Sequence, residues 1–389
     1  MSIVAPILPE YAETFNVNYT LVGFAVATFG IGRIFFDLPT GLLAKKYNLK
    51  KIMLLGLSLV ILSSFLAGIA PQYGVLLLAR LIEGIGSSLY VTTSTIYLAL
   101  TLDPKKRGRL MSLYAGFLLL GTIFGPSLGG FIASIYGIRA PFYVYAVVVA
   151  LGIIPTLILP NVENSSVDHK DDSQKFSYLI WESLKNQSFL LVFPAIFVIF
   201  FIRTGVRSTL VPLYSGSNLN LTEGDIGFIL TIAGIATAVT MVPIGNLSDR
   251  IGRRLPLILS LILTIFPIMW IPFSNSAMNL TIAIIIYGAF VGLSGPIAAY
   301  VTDIAPPEKV EIYMGVYRTV GDLGFVIGPL LSGFVADLTS SSTIRGESII
   351  NMVTWPPFAM AAIIMLISAI ILLKAPNPIQ NKSHNQIES

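Results

Sequence analysis

Long apolar runs recur along the whole chain, and short polar or basic stretches separate them. Each run is about 20 residues long, which is enough for a helix to cross a hydrocarbon core of about 30 Å. A membrane β-barrel would instead show shorter segments of alternating hydrophobicity. The pattern therefore predicts a polytopic, all-α integral membrane protein. The predicted spans are 21–44, 52–70, 75–101, 110–135, 140–160, 188–213, 224–248, 255–273, 278–303, 312–338 and 349–373.

The composition agrees with this prediction. Hydrophobic residues make up 54% of the chain and charged residues only 11%, against roughly 25% charged residues in soluble domains. The absence of cysteine excludes disulfides, iron–sulfur clusters and thiol catalysis. The two histidines, His169 and His384, lie in polar segments outside the predicted spans. We therefore expect no metal site, no cofactor and no enzyme activity, and nothing in the sequence indicates a nucleic-acid partner.

Basic residues are distributed unevenly between the loops. The segments "KKYNLKK", "DPKKRGR" and "SDRIGRR", the central loop and the tail all fall on one side of the membrane, which we call the basic face. The loops of the opposite side carry only Arg139 and Arg345. Because cytoplasmic loops are enriched in lysine and arginine, the basic face is predicted to be cytoplasmic. We expect a multi-pass protein of the plasma membrane with a cytoplasmic central loop and C-terminus.

The two parts of the chain repeat each other at a nearly constant offset. The equivalent positions are Gly41 and Gly245, Gly84 and Gly288, Tyr97 and Tyr300, Pro104 and Pro307, Tyr114 and Tyr317, and Gly125-Pro126 and Gly328-Pro329. Matching loops lie on the same face, so the repeat is parallel, as in secondary transporters whose substrate site lies between two halves. We predict an N-terminal six-helix half (1–160), a linker with an amphipathic helix (161–187), a C-terminal half (188–374) and a disordered tail (375–389).

Four segments carry a family resemblance. They are "GNLSDRIGRRLPLIL" from Gly245, "LLLARLIEGIGSS" from Leu76, "GTIFGPSLGG" from Gly121, and "APILP" near the start. Together they resemble the motifs of the major facilitator superfamily, and the third and fourth resemble its drug:proton antiporter branch. The resemblance implies twelve spans, with helices 1, 4, 7 and 10 lining a central cavity. Since "APILP" matches only the outer half of a first helix, that helix is expected to be incomplete in this chain.

The first of these segments resembles the family's gating loop, which occurs once in each half. The loop residues are Gly41, Gly245, Asp249, Arg250, Gly252, Arg253 and Arg254. The resemblance implies that the aspartate faces the N-terminus of a neighbouring helix, whose dipole favours a carboxylate by roughly 0.3–1 kcal/mol. Asp249 fits this latch, whereas plain anchoring by basic residues would explain the arginines alone. In the first copy Lys45 and Asn48 replace the acid and the second glycine, so we expect that latch to be lost.

Two pairs of charges lie at matching depths in different halves. Asp37 and Arg318 fall about 10 Å from the inner ends of their predicted helices, and Arg33 and Asp322 about 16 Å, at 1.5 Å per residue. One hypothesis pairs Asp37 with Arg318 and Arg33 with Asp322 across the interface between the halves, which would close the cytoplasmic side. The alternative is local pairing within each helix, because both pairs are spaced i, i+4.

Ionisable groups inside spans are costly and usually functional. Glu83 is a candidate proton carrier, with Arg80 adjusting its proton affinity; the alternative is a structural pair spaced i, i+3. Arg203 and Arg207, in the outer half of a predicted span, could bind an anion or could extend to the interface, which is the favoured interpretation for Arg207. Glycines and prolines indicate close, bendable helix packing. They are Gly121, Gly125, Pro126, Gly129, Gly130, Gly328 and Pro329.

The leading functional prediction is a proton-coupled efflux transporter for small amphipathic or drug-like molecules, working by alternating access. Its expected partners are the lipid bilayer, protons and a small-molecule substrate, and a monomer is expected. A carrier of small organic anions is the first alternative, because arginines outnumber acids inside the spans. A transport-inactive sensor with the same fold is the second, and the substitution at Lys45 keeps it open.

Overall fold

A computed structural model of the chain describes residues 2–102, 104–161, 183, 185–345 and 348–377. Two compact units account for these residues. Unit 1 takes in the residues up to 168 together with 220–231, and unit 2 takes in 169–219 and the residues from 232 onward. The predicted linker helix, with Phe176, Ile180 and Leu184, lies outside the described residues. The predicted domain boundaries at 160, 187 and 374 stay predictions.

The described residues are almost entirely helical. In chain order the elements are α1 Leu8–Glu13, α2 Tyr19–Lys46, α3 Leu49–Ile69, α4 Tyr73–Thr101, α5 Pro104–Tyr136, α6 Ala140–Leu151, α7 Ile153–Ile158, α8 Gln187–Leu190, α9 Phe193–Phe201, a π-helical segment Ile202–Leu210, α10 Val211–Ser217, α11 Glu223–Ile251, α12 Arg254–Leu263, α13 Ile265–Trp270, a 3-10 turn Ile271–Phe273, α14 Ala277–Gly292, α15 Ile297–Ile304, a 3-10 turn Pro307–Lys309, α16 Val310–Thr339, β1 Ser341–Arg345, β2 Ser348–Met352 and α17 Pro356–Leu372.

Asparagine and glycine set several helix ends. Asn18 begins α2, where its side chain accepts a hydrogen bond from the backbone N–H of Leu21 at 3.0 Å. Such a cap satisfies one of the amides that a helix start leaves without a partner. Gly137 follows α5 with φ +87° and Gly252 follows α11 with φ +90°. Only glycine adopts this left-handed conformation without strain, so these two positions end their helices.

Glycines also mark where helices cross within each unit. In unit 1 a Cβ atom at Gly84 of α4 would overlap the Phe29 carbonyl oxygen of α2. In unit 2 a Cβ atom at Gly288 of α14 would overlap the Ala233 carbonyl oxygen of α11. The offset between these two pairs is the one that aligns Gly41 with Gly245, so the sequence repeat corresponds to a repeated helix contact.

Ten helical stretches in the described part of the chain are long and apolar enough to cross a membrane. They overlap the first ten predicted spans, which confirms the all-α membrane fold. The eleventh predicted span, 349–373, starts before the helix does. Residues up to Met352 pair with β1 in an antiparallel hairpin, and the helix begins only at Pro356 and runs for 17 residues. Proline is favoured at a helix start because it needs no N–H partner there, which accounts for the later start.

Candidate functional site

The most deeply buried ion pair of unit 1 lies on α4. Arg80 is fully buried and Glu83 is 3% exposed, and Nη1 of Arg80 donates to Oε2 of Glu83. The guanidinium also lies 5.0 Å from the centre of the Phe29 ring on α2. Tyr145 of α6 hydrogen-bonds to Glu83 through its hydroxyl. The two predicted residues are therefore together, enclosed by α2 and α6, and tyrosine supplies a partner that the sequence did not reveal.

The Arg80 guanidinium of this pair has spare hydrogen-bonding capacity. Nε of Arg80 donates to the Ala25 carbonyl at 3.4 Å, while Nη2 is buried and has no hydrogen-bond partner within the described ranges. A buried charged donor without an acceptor costs free energy, so it is a position where another acceptor would be stabilised. While Glu83 is ionised, it is paired with Arg80. Once Glu83 is neutralised, the guanidinium can turn towards another acceptor.

The second charged pair of unit 1 lies on α2. Arg33 and Asp37 form a salt bridge of 3.5 Å at i, i+4 spacing. Ser88 of α4 donates to the other oxygen of Asp37. Local pairing, one of the two alternatives, is therefore present in α2. The pairing of Asp37 with Arg318 and of Arg33 with Asp322 stays a prediction.

The glycines of α5 differ in what they contact. A Cβ atom at Gly129 would overlap the Ile3 carbonyl, and one at Gly125 would lie 2.7 Å from the Ser2 side chain. A Cβ atom at Gly121 would meet no heavy atom within 4 Å among the described residues. The N-terminal segment therefore packs on Gly125 and Gly129, although the spacing alone predicted one contact face that included Gly121.

Next to Pro126, α5 and α11 are joined by a hydrogen bond. The backbone N–H of Ser127 donates to the Thr231 hydroxyl at 2.9 Å. A Cβ atom at Gly130 would overlap the Glu223 carbonyl, and Gly130 and Gly227 pack backbone to backbone. The segment "GTIFGPSLGG" thus holds α5 closely against the start of α11 within unit 1.

Three acids lie together at the end of unit 1 that is opposite the basic face. Glu10 and Glu13 belong to α1, which precedes the first membrane span, and Glu223 begins α11. Burial raises the pKa of Glu10 from 4.5 to about 7, and the nearby charge of Glu223 adds to the rise. Burial likewise raises the pKa of Glu13 to about 7, with a smaller contribution from Glu10. Sequence spacing did not reveal this cluster, because Glu223 is far along the chain from Glu10 and Glu13.

Arg203 and Arg207 of unit 2 lie in the π-helical segment Ile202–Leu210. The Thr209 hydroxyl donates to the Thr204 carbonyl, five residues earlier, at 2.9 Å. A Cβ atom at Gly205 would lie 2.7 Å from the Gly328 carbonyl of α16, next to Pro329. Turns of π-helix inside α-helices are rare and frequent at functional sites. Here the widened turn packs against α16 at Gly328.

The helical stretch that carries these arginines is longer than the predicted span. The membrane-spanning stretch runs over Gln187–Ser217, beyond the predicted end at 213. Arg203 is therefore near its middle, and Arg207 is about ten residues, or ~15 Å, from its far end. A helix of 31 residues is longer than a ~30 Å hydrocarbon core, so its end does not mark the interface, and the extension of Arg207 to the interface stays a prediction.

The second gating loop is held by ion pairs within unit 2. Arg253 binds Asp249 at 3.1 Å and Asp303 of α15 at 2.7 Å. Arg250 is exposed, and a Cβ atom at Gly41 or Gly245 would meet nothing within 4 Å in the described ranges. Tight packing therefore does not explain those two glycines. Gly252 is the glycine that the turn requires, because of its positive φ.

The first gating loop turns differently. Asn48 takes the place of Gly252 with φ −59°, and its side chain accepts from the backbone amides of Lys50 and Lys51. The loop thus ends one helix and caps the next without a left-handed residue, which explains how it functions as a turn without the second glycine. The side chain of Lys45 lies outside the described residues, so the loss of the first latch stays a prediction.

Each gating loop also binds the end of the last helix of its own unit. In unit 1 Lys50 donates to the Leu159 carbonyl at 3.0 Å, and Tyr97 of α4 donates to the Pro160 carbonyl at 3.1 Å. In unit 2 Arg254 donates to the Ala375 carbonyl at 2.6 Å, and Tyr300 donates to the Pro376 carbonyl. We call these two arrangements the helix-end clamps.

An asparagine completes both helix-end clamps. Asn161 accepts from Asn48 at 3.4 Å, and Asn377 lies against Gly252. The clamps correspond position by position between the units. Residues Ala375 to Asn377, which the sequence assigned to a disordered tail, therefore belong to a structured contact. The sequence signal was the repeated Pro-Asn pair after an apolar run, at 160–161 and 376–377.

Comparison with known proteins agrees with this repeated architecture. The chain matches the Major Facilitator Superfamily model twice, over residues 1–217 and 192–389. It is 26% identical to an uncharacterised MFS-type transporter of Methanocaldococcus jannaschii, covering 87% of this chain and 88% of the relative. It is also 26% identical to multidrug resistance protein 2 of Bacillus subtilis (87% and 85% covered), and 24% identical to quinolone resistance protein NorA of Staphylococcus aureus (87% and 86%).

Solved structures show the same fold. The nucleoside transporter NupG matches with a TM-score of 0.72 at 16% identity, covering 96% of both chains. A bacterial homologue of the human lysosomal transporter Spinster, in an inward-facing and occupied conformation, matches with a TM-score of 0.72 at 15% identity, covering 98% of this chain and 94% of the other. Together with the family model, these matches identify the chain as a multi-pass membrane transporter, and it belongs to the Major Facilitator Superfamily.

Proposed function

We propose that the protein is a proton-coupled efflux transporter for small amphipathic molecules, working by alternating access. The observation that carries the proposal is the buried Arg80–Glu83 pair with Tyr145 and the spare donor of Arg80. An ionisable pair enclosed in a membrane span is costly unless it is used. Two relatives named for multidrug and quinolone resistance support a drug-like substrate.

In this proposal Glu83 is the group that binds and releases the proton. Protonation removes the negative half of the ion pair and leaves the Arg80 guanidinium without its main counter-charge. A buried charge that loses its partner is destabilised, which favours a different arrangement of the helices around α4. The proton gradient is then the energy source, and no cofactor is needed. We place the protein in the plasma membrane as a monomer, with the basic face toward the cytoplasm.

Arginines in unit 2 favour a second candidate, a carrier of small organic anions. Arg203 and Arg207 interact electrostatically with each other and with Tyr287. The charge preference of the transported substrate separates the two candidates.

The test uses inside-out vesicles with a pre-formed acid-inside gradient and a pH-sensitive dye. Lipophilic cations, neutral drugs and small organic anions are added separately. The expected result is proton release by cations or neutral drugs, reduced at least about tenfold in Glu83→Gln, because that variant holds no exchangeable proton. The matched control is Glu308→Gln, in the exposed turn Pro307–Lys309, which should respond as the unmodified protein does. Equal responses of both variants, or no response to any compound, would contradict the proposal.

A further inference from the structure

A cavity of about 350 Å³ lies in unit 2, beside the start of one membrane-spanning stretch and the end of another helix. Gln187, Ser188 and Leu191 line it from α8 and the residue that follows α8. Lys374 and Pro376 line it from the segment that follows α17. We call this cavity the α8–α17 pocket. Its volume is within the range of about 300–1,000 Å³ that small-molecule sites have.

The α8–α17 pocket lies at the depth of lipid headgroups. The membrane-spanning stretch that begins at Gln187 has 31 residues, which is about 46 Å at 1.5 Å per residue. That length exceeds the ~30 Å hydrocarbon core and matches a bilayer with its headgroups, about 40–45 Å. Its first residues therefore lie among the headgroups of the basic face. Leu190 and Leu373 next to the pocket are exposed, so they can contact acyl chains.

The side chains that line the pocket suit a phosphate group. Lys374 has an ammonium group, Gln187 an amide and Ser188 a hydroxyl, and all three can donate hydrogen bonds. None of the lining residues is acidic. A second positive charge is close, since Arg254 donates to the carbonyl of Ala375, the residue after Lys374, at 2.6 Å. Positive charge and several donors together favour a phosphodiester, because charge-assisted hydrogen bonds are the strong ones.

The helix-end clamp of unit 2 does not account for Lys374. The donors of that clamp are Arg254 and Tyr300. In the clamp of unit 1 the carbonyl of Leu159 is the equivalent acceptor, and the residue before it is Ile158, which is exposed. A clamp therefore forms with an apolar residue at this position. The lysine belongs to unit 2 alone, as does its place in the pocket.

We propose that the α8–α17 pocket binds the headgroup of an anionic phospholipid. Lys374 pairs with the phosphodiester, Gln187 and Ser188 donate to its oxygens, and the acyl chains lie along Leu190 and Leu373. A lipid bound in this way joins the two chain segments that meet at the clamp, so it stabilises folded unit 2. The inference goes beyond the proposed efflux function and does not depend on proton coupling.

Binding is tested on the full-length protein, stripped of lipid in detergent. The probes are phosphatidylglycerol, which is anionic, and phosphatidylcholine, which is zwitterionic, at equal concentrations. Native mass spectrometry counts the lipid molecules that stay bound. The unmodified protein should retain one phosphatidylglycerol in preference to phosphatidylcholine. Lys374→Gln should weaken this retention at least about fivefold, the contribution of one lysine near an anionic lipid surface, and Lys374→Arg should weaken it less.

Two further variants separate the pocket from general surface charge. Lys51→Gln removes an exposed lysine of the basic face in unit 1 and should retain the lipid as the unmodified protein does. Ser188→Leu keeps every charge but fills part of the cavity, so it should weaken retention as Lys374→Gln does. The inference is overturned if phosphatidylglycerol is not preferred, if the two glutamine variants lose it equally, or if Ser188→Leu binds it normally.

Thermal unfolding separates a membrane lipid from a soluble phosphate compound. Phosphatidylglycerol should raise the melting temperature of the unmodified protein by a few degrees and that of Lys374→Gln by less, because the ligand binds only the folded state. Inorganic phosphate and glycerol 3-phosphate should not raise it. An equal rise with either soluble probe would make a soluble phosphate compound the ligand and would overturn the inference. Without lipid, Lys374→Gln should melt as the unmodified protein does, since Lys374 is exposed.

Discussion

Acidic side chains in unit 1 differ in how their charge is compensated. Glu83 binds Arg80 and Tyr145, and Asp37 binds Arg33 and Ser88. Glu10, by contrast, has a buried carboxyl oxygen with no hydrogen-bond partner in the described part of the chain, and Glu13 and Glu223 are close to it. Desolvation without a counter-charge favours the protonated acid, as the raised pKa of Glu10 indicates.

Replacing Glu10 with glutamine should stabilise the protein only at neutral and alkaline pH. The folded-state pKa of about 7 exceeds the ordinary value of 4.5. An acid with a raised pKa is stable while protonated, and this stability is lost as the pH rises from about 4.5 to 7. Thermal unfolding in detergent should therefore show Glu10→Gln a few degrees above the unmodified protein at about pH 8, and level with it at about pH 4.5.

Glu308→Gln, which changes an exposed acid, is the control and should not shift the melting temperature with pH. A stabilisation of Glu10→Gln that is the same at both pH values would mean that titration of this carboxyl is not the cause.

At the scale of elements, glycines decide how closely the helices approach. The backbone of Ile3 packs against Gly129, and the backbone of Glu223 packs against Gly130. Neighbouring positions on one helix thus hold two different segments. The same helix contains Pro126, and the amide of the next residue, Ser127, donates to the Thr231 hydroxyl of α11. The motif is a connector between α5, the N-terminal segment and α11.

Gly129→Ala should destabilise the protein, and Gly121→Ala should not. The added methyl group at Gly129 would overlap the Ile3 carbonyl, a backbone atom that has to move. Overpacking of this kind costs about 1–3 kcal/mol. At Gly121 the methyl group meets open space, so the change should stay within about 0.5 kcal/mol. Thermal unfolding of the two purified variants compares them directly, and equal losses would rule out packing of the N-terminal segment at Gly129.

Hydrophobic runs and charge spacing predicted much of the fold and part of the site. The ten spans and the Arg80–Glu83 pair followed from runs and positions in the sequence. The start of α17 did not, because the strand "SIINM" also contains two isoleucines and a methionine, and hydropathy does not distinguish a short strand from a helix. The π-helical segment depends on Gly205 meeting Gly328, a contact between distant residues. The acceptors of the helix-end clamps are backbone carbonyls, so no side chain in the sequence identifies them.

At the scale of the whole molecule, each unit has its own helix-end clamp, built from equivalent residues. Lys50 and Arg254 are equivalent donors, Tyr97 and Tyr300 are identical, and the acceptors are the carbonyls before and within each Pro-Asn pair. The gating loops, in contrast, have diverged at Asn48 and Gly252. The hydrogen bonds of the helix-end clamps are therefore more alike in the two units than the turns of the two gating loops are.

Tyr97→Phe and Tyr300→Phe should each lower the stability by about 0.5–1.5 kcal/mol, the usual net contribution of one hydrogen bond. The double variant should show the sum of the two losses, because the two hydroxyls share no partner. Chemical or thermal unfolding in detergent measures all three. Tyr136→Phe, at a tyrosine that is 77% exposed, is the control. A double variant as stable as the unmodified protein would show that the clamps hold nothing in solution.

The positions of the helix-end clamps also decide where the chain can be cut or extended. The clamps include Asn161 in unit 1 and Asn377 in unit 2, each a few residues after a membrane helix. A reporter or affinity tag joined directly after Leu372 would delete the acceptors of Arg254 and Tyr300, whereas one joined after Asn377 keeps them. A split gene that ends its first coding segment just beyond Asn161 likewise leaves each product with its own clamp, so the two pieces could be produced separately and combined.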